Sequence, residues 1–378
     1  MKLKSEDPRK FFIIVPIQFE ELALSELIDV LNHLSVKTPE VKGEKGGLEL
    51  DLPLSVGLQL NRFLKIPTRI LLRDRSFKCT DFKKFEAKLS TSPWRNYVGS
   101  GKISWEISSH KSRLYNKKKL EELANKAYQT YRVGQPIGAK ESNHDLKVFI
   151  RFYEDQCQVS IDTSGEPLYR RGYKTHITDA PLRENLAAGL LRVLGVHQLA
   201  DQNVLVDPMM GSGTFLLETF FRSANLKKFR KFSYEGFKIN IQELELKTDG
   251  MSPKLVGRDL DPKSILAVQE NFKGHHDQID VAVADIFKAE PSTKRGCLII
   301  NPPYGERLKL KEDKKKYFYG LMEKIIEVHE PIKFGIIIPE SVFKNKTITI
   351  KDYKINKALY FKNGGIRVEF WVAVKESS

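Results

Sequence analysis

Three stretches in the second half of the chain hold residues of the types and spacing that chemistry needs. The first is VLVDPMMGSGTFLLE (204–218), read as a strand, an acidic residue, two glycines and an apolar helix. Gly211 and Gly213 let backbone approach a ligand closely, and the start of the following helix offers unpaired N–H groups. Asp207, at the strand tip, suits a cationic ligand group such as an amino acid ammonium and is less suited to a pyrophosphate. A second apolar run ends in Gly257-Arg258-Asp259, where a carboxylate can accept both hydroxyls of a ribose. A third ends in Asp285, within reach of an adenine amino group. The competing reading makes Asp259 and Asp285 helix N-caps, which are common at strand–helix junctions. Three strand-end carboxylates beside one glycine loop favour an adenosine-containing amino acid, and S-adenosylmethionine fits that description.

The last stretch, LIINPPYGERL (298–308), places Asn301-Pro302-Pro303-Tyr304 at the tip of a fourth apolar run. Two prolines fix φ and remove two N–H donors, leaving a stiff segment rich in acceptors. The Asn301 side-chain oxygen and the Pro302 carbonyl are placed to accept hydrogen bonds from one planar –NH2 group. Tyr304 is placed to stack on the ring carrying it, a contact worth about 1–3 kcal/mol per base. No nucleophilic side chain is required, because the substrate nitrogen is the nucleophile and positioning carries the rate. The bland reading is a proline-stiffened turn with a core tyrosine.

The elements that must position these residues follow from hydrophobic patterning. VLVD, KLVG (254–257), DVAVA (280–284), CLII (297–300) and FGIII (334–338) are apolar on both faces, as parallel strands covered by helices are. ALYF (358–361) and VEFWVAV (368–374), around Asn363-Gly364-Gly365, read as a terminal hairpin. The expectation is an α/β domain, doubly wound and Rossmann-like, with a seven-stranded, mostly parallel sheet. The stretch 226–253 interrupts this rhythm and reads as an insertion. Residues 164–180 are polar and basic and mark the domain junction, and a linker helix over 181–194 is expected with Pro181 at its first position.

Before the junction, strands are expected near 10–15, 48–52, 68–78, 102–108, 145–153 and 156–162. Helices are expected over 18–34, from Pro53, near 81–90 and near 117–132. These short mixed elements suggest small α+β units and not one large sheet.

The chain of 378 residues carries a net charge of +15, with 41% apolar and 29% charged residues. That excludes a largely disordered chain. No apolar run approaches the roughly 18–20 residues that cross a bilayer, and the N-terminus is a poor signal peptide. Cys79, Cys157 and Cys297 are too far apart for a disulfide framework or a zinc site, and no metal is expected. The expected setting is a reducing cytoplasm. Residues 51–150 hold 20 basic and 9 acidic side chains, with interleaved aromatics. That density fits a polyanion, nucleic acid foremost, or else a basic surface kept for solubility.

DPMMGSGT, GRDLDP, VADIF and NPPYGERL, in this order, resemble the class I S-adenosylmethionine-dependent methyltransferases that act on exocyclic amines. DTSGEPLYRRGY followed by APLRENLAAGLL resembles the bacterial family with an N-terminal THUMP RNA-binding domain. That family includes 23S ribosomal RNA guanine-N2 methyltransferases and related transfer RNA enzymes. The resemblance implies an RNA-binding region over 1–160, made of a ferredoxin-like unit and a THUMP core over about 45–160. It implies a methyltransferase domain over 161–378. It assigns Asp207, Pro208, Gly211, Ser212, Gly213, Thr214, Asp259, Leu260, Asp285, Ile286 and Asn301 to the cofactor, and Asn301, Pro302 and Tyr304 to the target base. The family usually has Cys where Met210 stands, and cofactor binding is expected to survive the change. A second methyltransferase domain, fused in some relatives, is expected to be absent.

Arg73, Arg75, Lys111, Arg113, Arg170 and Arg171 are the candidate RNA contacts, the last two reading equally well as salt-bridge partners. Lys314 to Lys316 and the 226–253 stretch either flank the RNA path or form solvated faces. The functional expectation is N2-methylguanosine formation in 23S rRNA. Its alternatives are a tRNA guanine-N2 enzyme and a non-catalytic RNA-binding assembly factor. A DNA adenine-N6 enzyme lacks a duplex-reading helix here, and a dehydrogenase leaves NPPY unexplained.

Overall fold

The computed structural model describes residues 4–98, 102–133, 145–178, 182–199, 203–246, 253–288, 293–303 and 313–376. It divides into two compact units: Met1–Pro16, Glu26–Arg170 and Asn225–Leu246 in the first, and Ile17–Ser25, Arg171–Ala224 and Lys247–Ser378 in the second.

The elements before the junction are β1 (Pro8–Ile14), α1 (Glu20–His33), β2 (Val41–Glu44), β3 (Gly47–Pro53), α2 (Leu54–Gln59), β4 (Arg69–Lys78), α3 (Phe82–Ser90), β5 (Ile103–His110), α4 (Lys117–Val133), β6 (Leu146–Tyr153) and β7 (Gln156–Asp162). The seven strands form one sheet in the order β2-β3-β1-β4-β7-β6-β5. This corrects the expectation of separate small units. The cause is β4, ten residues long, whose first four residues pair with β1 and whose span from Leu71 onward pairs with β7. One long strand shared by two neighbours joins what short-range patterning shows as two motifs. β2 has no apolar alternation and is recruited by its turn into β3.

The stretch read as an insertion belongs to this first unit over Asn225–Leu246. One side chain anchors much of it. Arg230 donates to the carbonyls of Ser164, Glu166, Pro167 and Arg170 at 2.7–3.0 Å. Gln59 holds the far end, donating to the Gln242 carbonyl at 2.9 Å and accepting from the Leu244 N–H at 2.8 Å.

The second unit contains α5 (Glu184–Val193), β8 (Val204–Asp207), α6 (Thr214–Phe220), β9 (Lys254–Asp259), α7 (Pro262–Asn271), β10 (Ile279–Val283), β11 (Cys297–Ile300), α8 (Lys314–His329), β12 (Lys333–Pro339), β13 (Thr347–Ile350), β14 (Tyr353–Asn363) and β15 (Ile366–Lys375). Its sheet runs β10-β9-β8-β11-β12-β15-β14-β13. β8 to β12 are parallel, and β15 enters antiparallel between β12 and β14. The doubly wound expectation is met, but the sheet has eight strands and not seven, because the short strand β13, with Ile350 in the core, is added at one edge. Gly364 and Gly365, both at positive φ, make the tight hairpin turn. Phe318, Leu321, Met322 and Ile325 of α8 pack on Val206, Leu298, Ile300, Phe334 and Ile336, all buried.

The linker helix starts three residues later than read. Arg183 is extended and occupies the N-cap position, so Glu184 is the first helical residue. Pro181 lies outside the described residues.

Candidate active site

The site lies at the C-terminal ends of the parallel strands of the second unit, where open α/β sheets bind ligands. β8 delivers Asp207, which is 2% exposed and accepts from the Met209 N–H at 3.2 Å. Burial pushes its carboxyl well above the usual carboxylate range, and the charge of Asp259 adds to the shift. The glycine loop then turns tightly. Gly211 and Gly213 have φ of 52° and 74°, and the Gly213 N–H closes onto the Met210 carbonyl at 2.8 Å. A Cβ on Gly213 would lie 2.8 Å from Val268 of α7, so only glycine fits this conformation in this space. Met210 is buried, and its sulfur would lie 2.4 Å from a Cβ on Gly257. The larger side chain at this position is therefore accommodated against a bare β9 backbone.

Asp259 ties two loops together. One carboxylate oxygen accepts from the Gly211 N–H and the other from the Asp261 N–H, both at 2.9 Å. The N-cap of α7 is Asp261, so the capping alternative for Asp259 is not realised. Each Asp259 oxygen keeps a further lone pair, as a ribose diol requires. Arg258, buried beneath it, locks β9 to β10 through the Asp280 carbonyl at 2.9 Å and the Asp280 carboxylate at 3.2 Å. Asp285 accepts from the Phe287 N–H at 3.0 Å and is partly exposed; Ile286 behind it is buried, and Leu260 is exposed.

β11 is buried along its length, and Asn301 follows its last residue, Ile300. The Asn301 Oδ1 atom is shielded from solvent and has no hydrogen-bond partner among the described residues. A buried amide oxygen without a donor is costly, by about 1–3 kcal/mol, so this atom calls for a donor from outside the described residues, as a bound ligand would supply. Pro302 is buried and Pro303 exposed; Tyr304 lies outside the described residues.

Two groups near the loop escaped sequence reading. The segment from Arg171 to Thr178 holds a buried ion pair, Arg171 to Glu218 of α6, both side chains 0% exposed and 3.1 Å apart. The Tyr173 hydroxyl also donates to Glu218. Arg171 is thus unavailable to a phosphate; of its two readings the salt bridge is realised, which corrects its place among the RNA contacts. Burial opposes its charge, yet Glu218 holds its proton affinity above the ordinary value. Lys174 donates to Thr214 Oγ1 at 2.7 Å, and Asn271 bonds the same segment. Neither the Lys174 nor the Asn271 contact has a sequence signal, because each spans dozens of residues.

In the first unit, Arg73 donates to Glu49 and Ser160 at 3.0 and 3.1 Å and lies over the Phe12 ring. Arg75 is spent on Asp74, Thr91 and the Lys88 carbonyl. Lys111, Arg113 and Arg170 keep side chains 61–75% exposed. No group of three or more His, Cys, Asp or Glu residues able to hold a metal occurs among the described residues. None of the described helices is long and apolar enough to cross a membrane.

A parallel sheet in this strand order, a glycine loop after its first strand and an acceptor-rich Asn-Pro-Pro after its fourth define a class I methyltransferase domain. Residues 171–345 match the family model described as UPF0020, RMKL-like, methyltransferase domain. The ribosomal RNA large subunit methyltransferase K/L of Psychromonas ingrahamii is 28% identical over 310 residues, 75% of this chain and 40% of the relative. The chain spans about half or less of the length of the curated relatives it matches. A methylase candidate from Clostridium difficile 630 superposes with a TM-score of 0.76 at 23% identity, covering 98% of this chain and 99% of that one. SMU.472, assigned as a methyltransferase and complexed with SAH, gives 0.77 at 21%, with the same coverage. At these identities the two structures establish the fold.

Proposed function

We propose that this protein is an S-adenosylmethionine-dependent RNA methyltransferase acting on the exocyclic N2 amine of a guanosine, with 23S rRNA as its substrate, in the cytoplasm. The observation that carries the reading is the buried, donor-less Asn301 oxygen at the end of β11. The large-subunit rRNA methyltransferase relatives support the choice of RNA. RNA binding is assigned to residues 1–160, with a THUMP core over about 45–160 and Lys111, Arg113 and Arg170 as exposed cations.

The residues present fit the cofactor: a buried carboxylate for an ammonium, a glycine turn with no room for a Cβ, and a carboxylate with lone pairs for a diol. Asp207 and the Gly211–Thr214 loop hold the methionine end, Asp259 with Leu260 the ribose, and Asp285 with Ile286 the adenine. The bound cofactor supplies an electrophilic methyl group. Asn301 Oδ1 and the Pro302 carbonyl accept the two amine hydrogens. This holds the amine in one orientation and directs its lone pair out of conjugation with the ring.

The test is methyl transfer from labelled S-adenosylmethionine to unmodified 23S RNA and to tRNA, followed by digestion to nucleosides. Label in N2-methylguanosine from 23S RNA is the expected result. Label confined to tRNA moves the substrate. Label in N6-methyladenosine overturns the base. No label in any pool despite cofactor binding favours a non-catalytic role.

The raised pKa of Asp207 has a sign that can be checked. A carboxyl whose folded pKa lies above its unfolded value near 4 contributes stability at low pH, which is lost as pH rises through the folded pKa. A bound ammonium offsets that loss. The stabilisation of the protein by S-adenosylhomocysteine, read as ΔTm at fixed ligand, is expected to grow as pH rises, and Asp207→Asn should flatten the trend. A pH-independent ΔTm in the wild type would remove Asp207 from the ammonium site.

A further inference from the structure

We infer that Asn271, the last residue of α7, is a positioning residue for the methionine end of the cofactor site; the inference rests on the methyl-donor reading above. Asn271 is 6% exposed and spends its whole amide on backbone. Its Oδ1 accepts from the N–H groups of Thr175 and His176, both at 2.9 Å. Its Nδ2 donates to the His176 carbonyl at 2.8 Å and to the Ser212 carbonyl at 3.3 Å. One side chain therefore fastens the 175–176 backbone and the glycine loop to the same point. Two more contacts hold the segment against the loop. Lys174, its side chain 3% exposed, bridges Glu184 at 3.2 Å and Thr214 Oγ1 at 2.7 Å. Thr178 Oγ1 lies 3.4 Å from where a Cβ on Gly211 would stand.

The consequence is geometric. The glycine loop makes one wall of the methionine subsite, and the 174–178 segment stands beside it on the Gly211 side. The segment has no strand or helix of its own to set its distance from that wall. Asn271 sets it through bonds to both. The adenosine end rests on Asp259, Asp285 and the β9–β10 pairing, none of which Asn271 bonds; its link to the glycine loop is the Gly211 N–H that donates to Asp259. Loss of Asn271 is therefore felt by ligands that carry the amino acid moiety and not by those that lack it.

The experiment is isothermal titration of the full chain with S-adenosylhomocysteine and with 5′-methylthioadenosine, which keeps the adenosine and lacks the amino acid. Asn271→Ala is expected to weaken the first by about tenfold or more, from the loss of hydrogen bonds at a wall the ligand needs. The second is expected to change by less than about twofold. Asn271→Asp, of the same size, keeps the acceptor for Thr175 and His176 but loses both donors. Its second carboxylate oxygen faces the His176 and Ser212 carbonyls, so it is expected to weaken binding of the first ligand at least as much as alanine does, and it stands in should the alanine variant fail to fold. In steady state the KM for the methyl donor rises while kcat at saturation holds. Equal weakening of both ligands would mean a general structural role and overturn the inference, as would unchanged affinity for both. A wild-type protein that binds neither ligand overturns the methyl-donor reading, and the inference with it.

Discussion

Asn301→Ala is expected to reduce kcat for methyl transfer by about 10²–10³-fold or to background, the scale on which preorganised polar contacts to a reacting group are lost. Affinity for S-adenosylhomocysteine should stay within about threefold of wild type, because among the described residues Asn301 Oδ1 accepts no hydrogen bond whose loss would move the cofactor loops. The same reasoning predicts that the variant is no less stable than the parent. Among the described residues the deleted oxygen has no donor to lose, so removing it relieves a desolvation cost. This pairing of lost activity with kept stability separates an acceptor for substrate from a structural turn. A fully active variant would remove Asn301 from the amine site. An inactive but strongly destabilised one would favour the proline-stiffened turn.

The second large effect concerns folding. Glu218→Gln should destabilise the protein by about 3–5 kcal/mol, since it removes the carboxylate charge that faces the buried Arg171 cation. For a unit of this size that corresponds to a fall of roughly 10 °C in Tm. The Tyr173 hydroxyl loses its carboxylate acceptor in the same step. Replacing both members of the pair, as Arg171→Met with Glu218→Leu, should recover most of the loss, because apolar residues of similar volume need no charge compensation. Denaturant titration of the single and double variants reads both effects. A Glu218→Gln protein within about 2 °C of wild type would show that the pair carries little of the stability.

Arg73 and Arg75 show why charge alone misplaces an RNA contact. With alternation every two residues, both fall on one face of β4. The register shifts between them: Arg73 stands opposite Ser160 but Arg75 opposite Val159. The extra residue, Asp74, turns Arg75 to the other face, a displacement typical of a bulge. Each arginine then finds a partner within the unit. Arg171 fails as a contact for another reason, since its acidic partner lies 47 residues away on α6. Composition counts charges, whereas the fold decides which of them are buried against a partner: Lys111, Arg113 and Arg170 also have carboxylate partners and stay exposed. The single N-terminal sheet was illegible for a related reason. Alternation identifies a strand, but the fact that β4 has two neighbours is a property of pairing.

The candidate site was more legible because its parts are local. A glycine loop must follow a strand within a few residues, and Asp207, Asp259, Asp285 and Asn301 each sit at the end of an apolar run. Strand ends of a parallel sheet converge on one edge, so linear order alone implied a common site.

The amino-acid sequence by itself determined the parallel α/β domain, the place of its glycine loop and the four strand-end residues, because short-range periodicity and backbone restriction govern them. The tertiary structure alone decided that Asn301 has an acceptor unpaired among the described residues and that Arg171 does not stay a free cation. It also decided that Asp259 ties two loops and that Asn271 fastens a distant segment beside the cofactor loop. Each of these depends on which groups are desolvated together, and burial is set by packing between residues far apart in the chain.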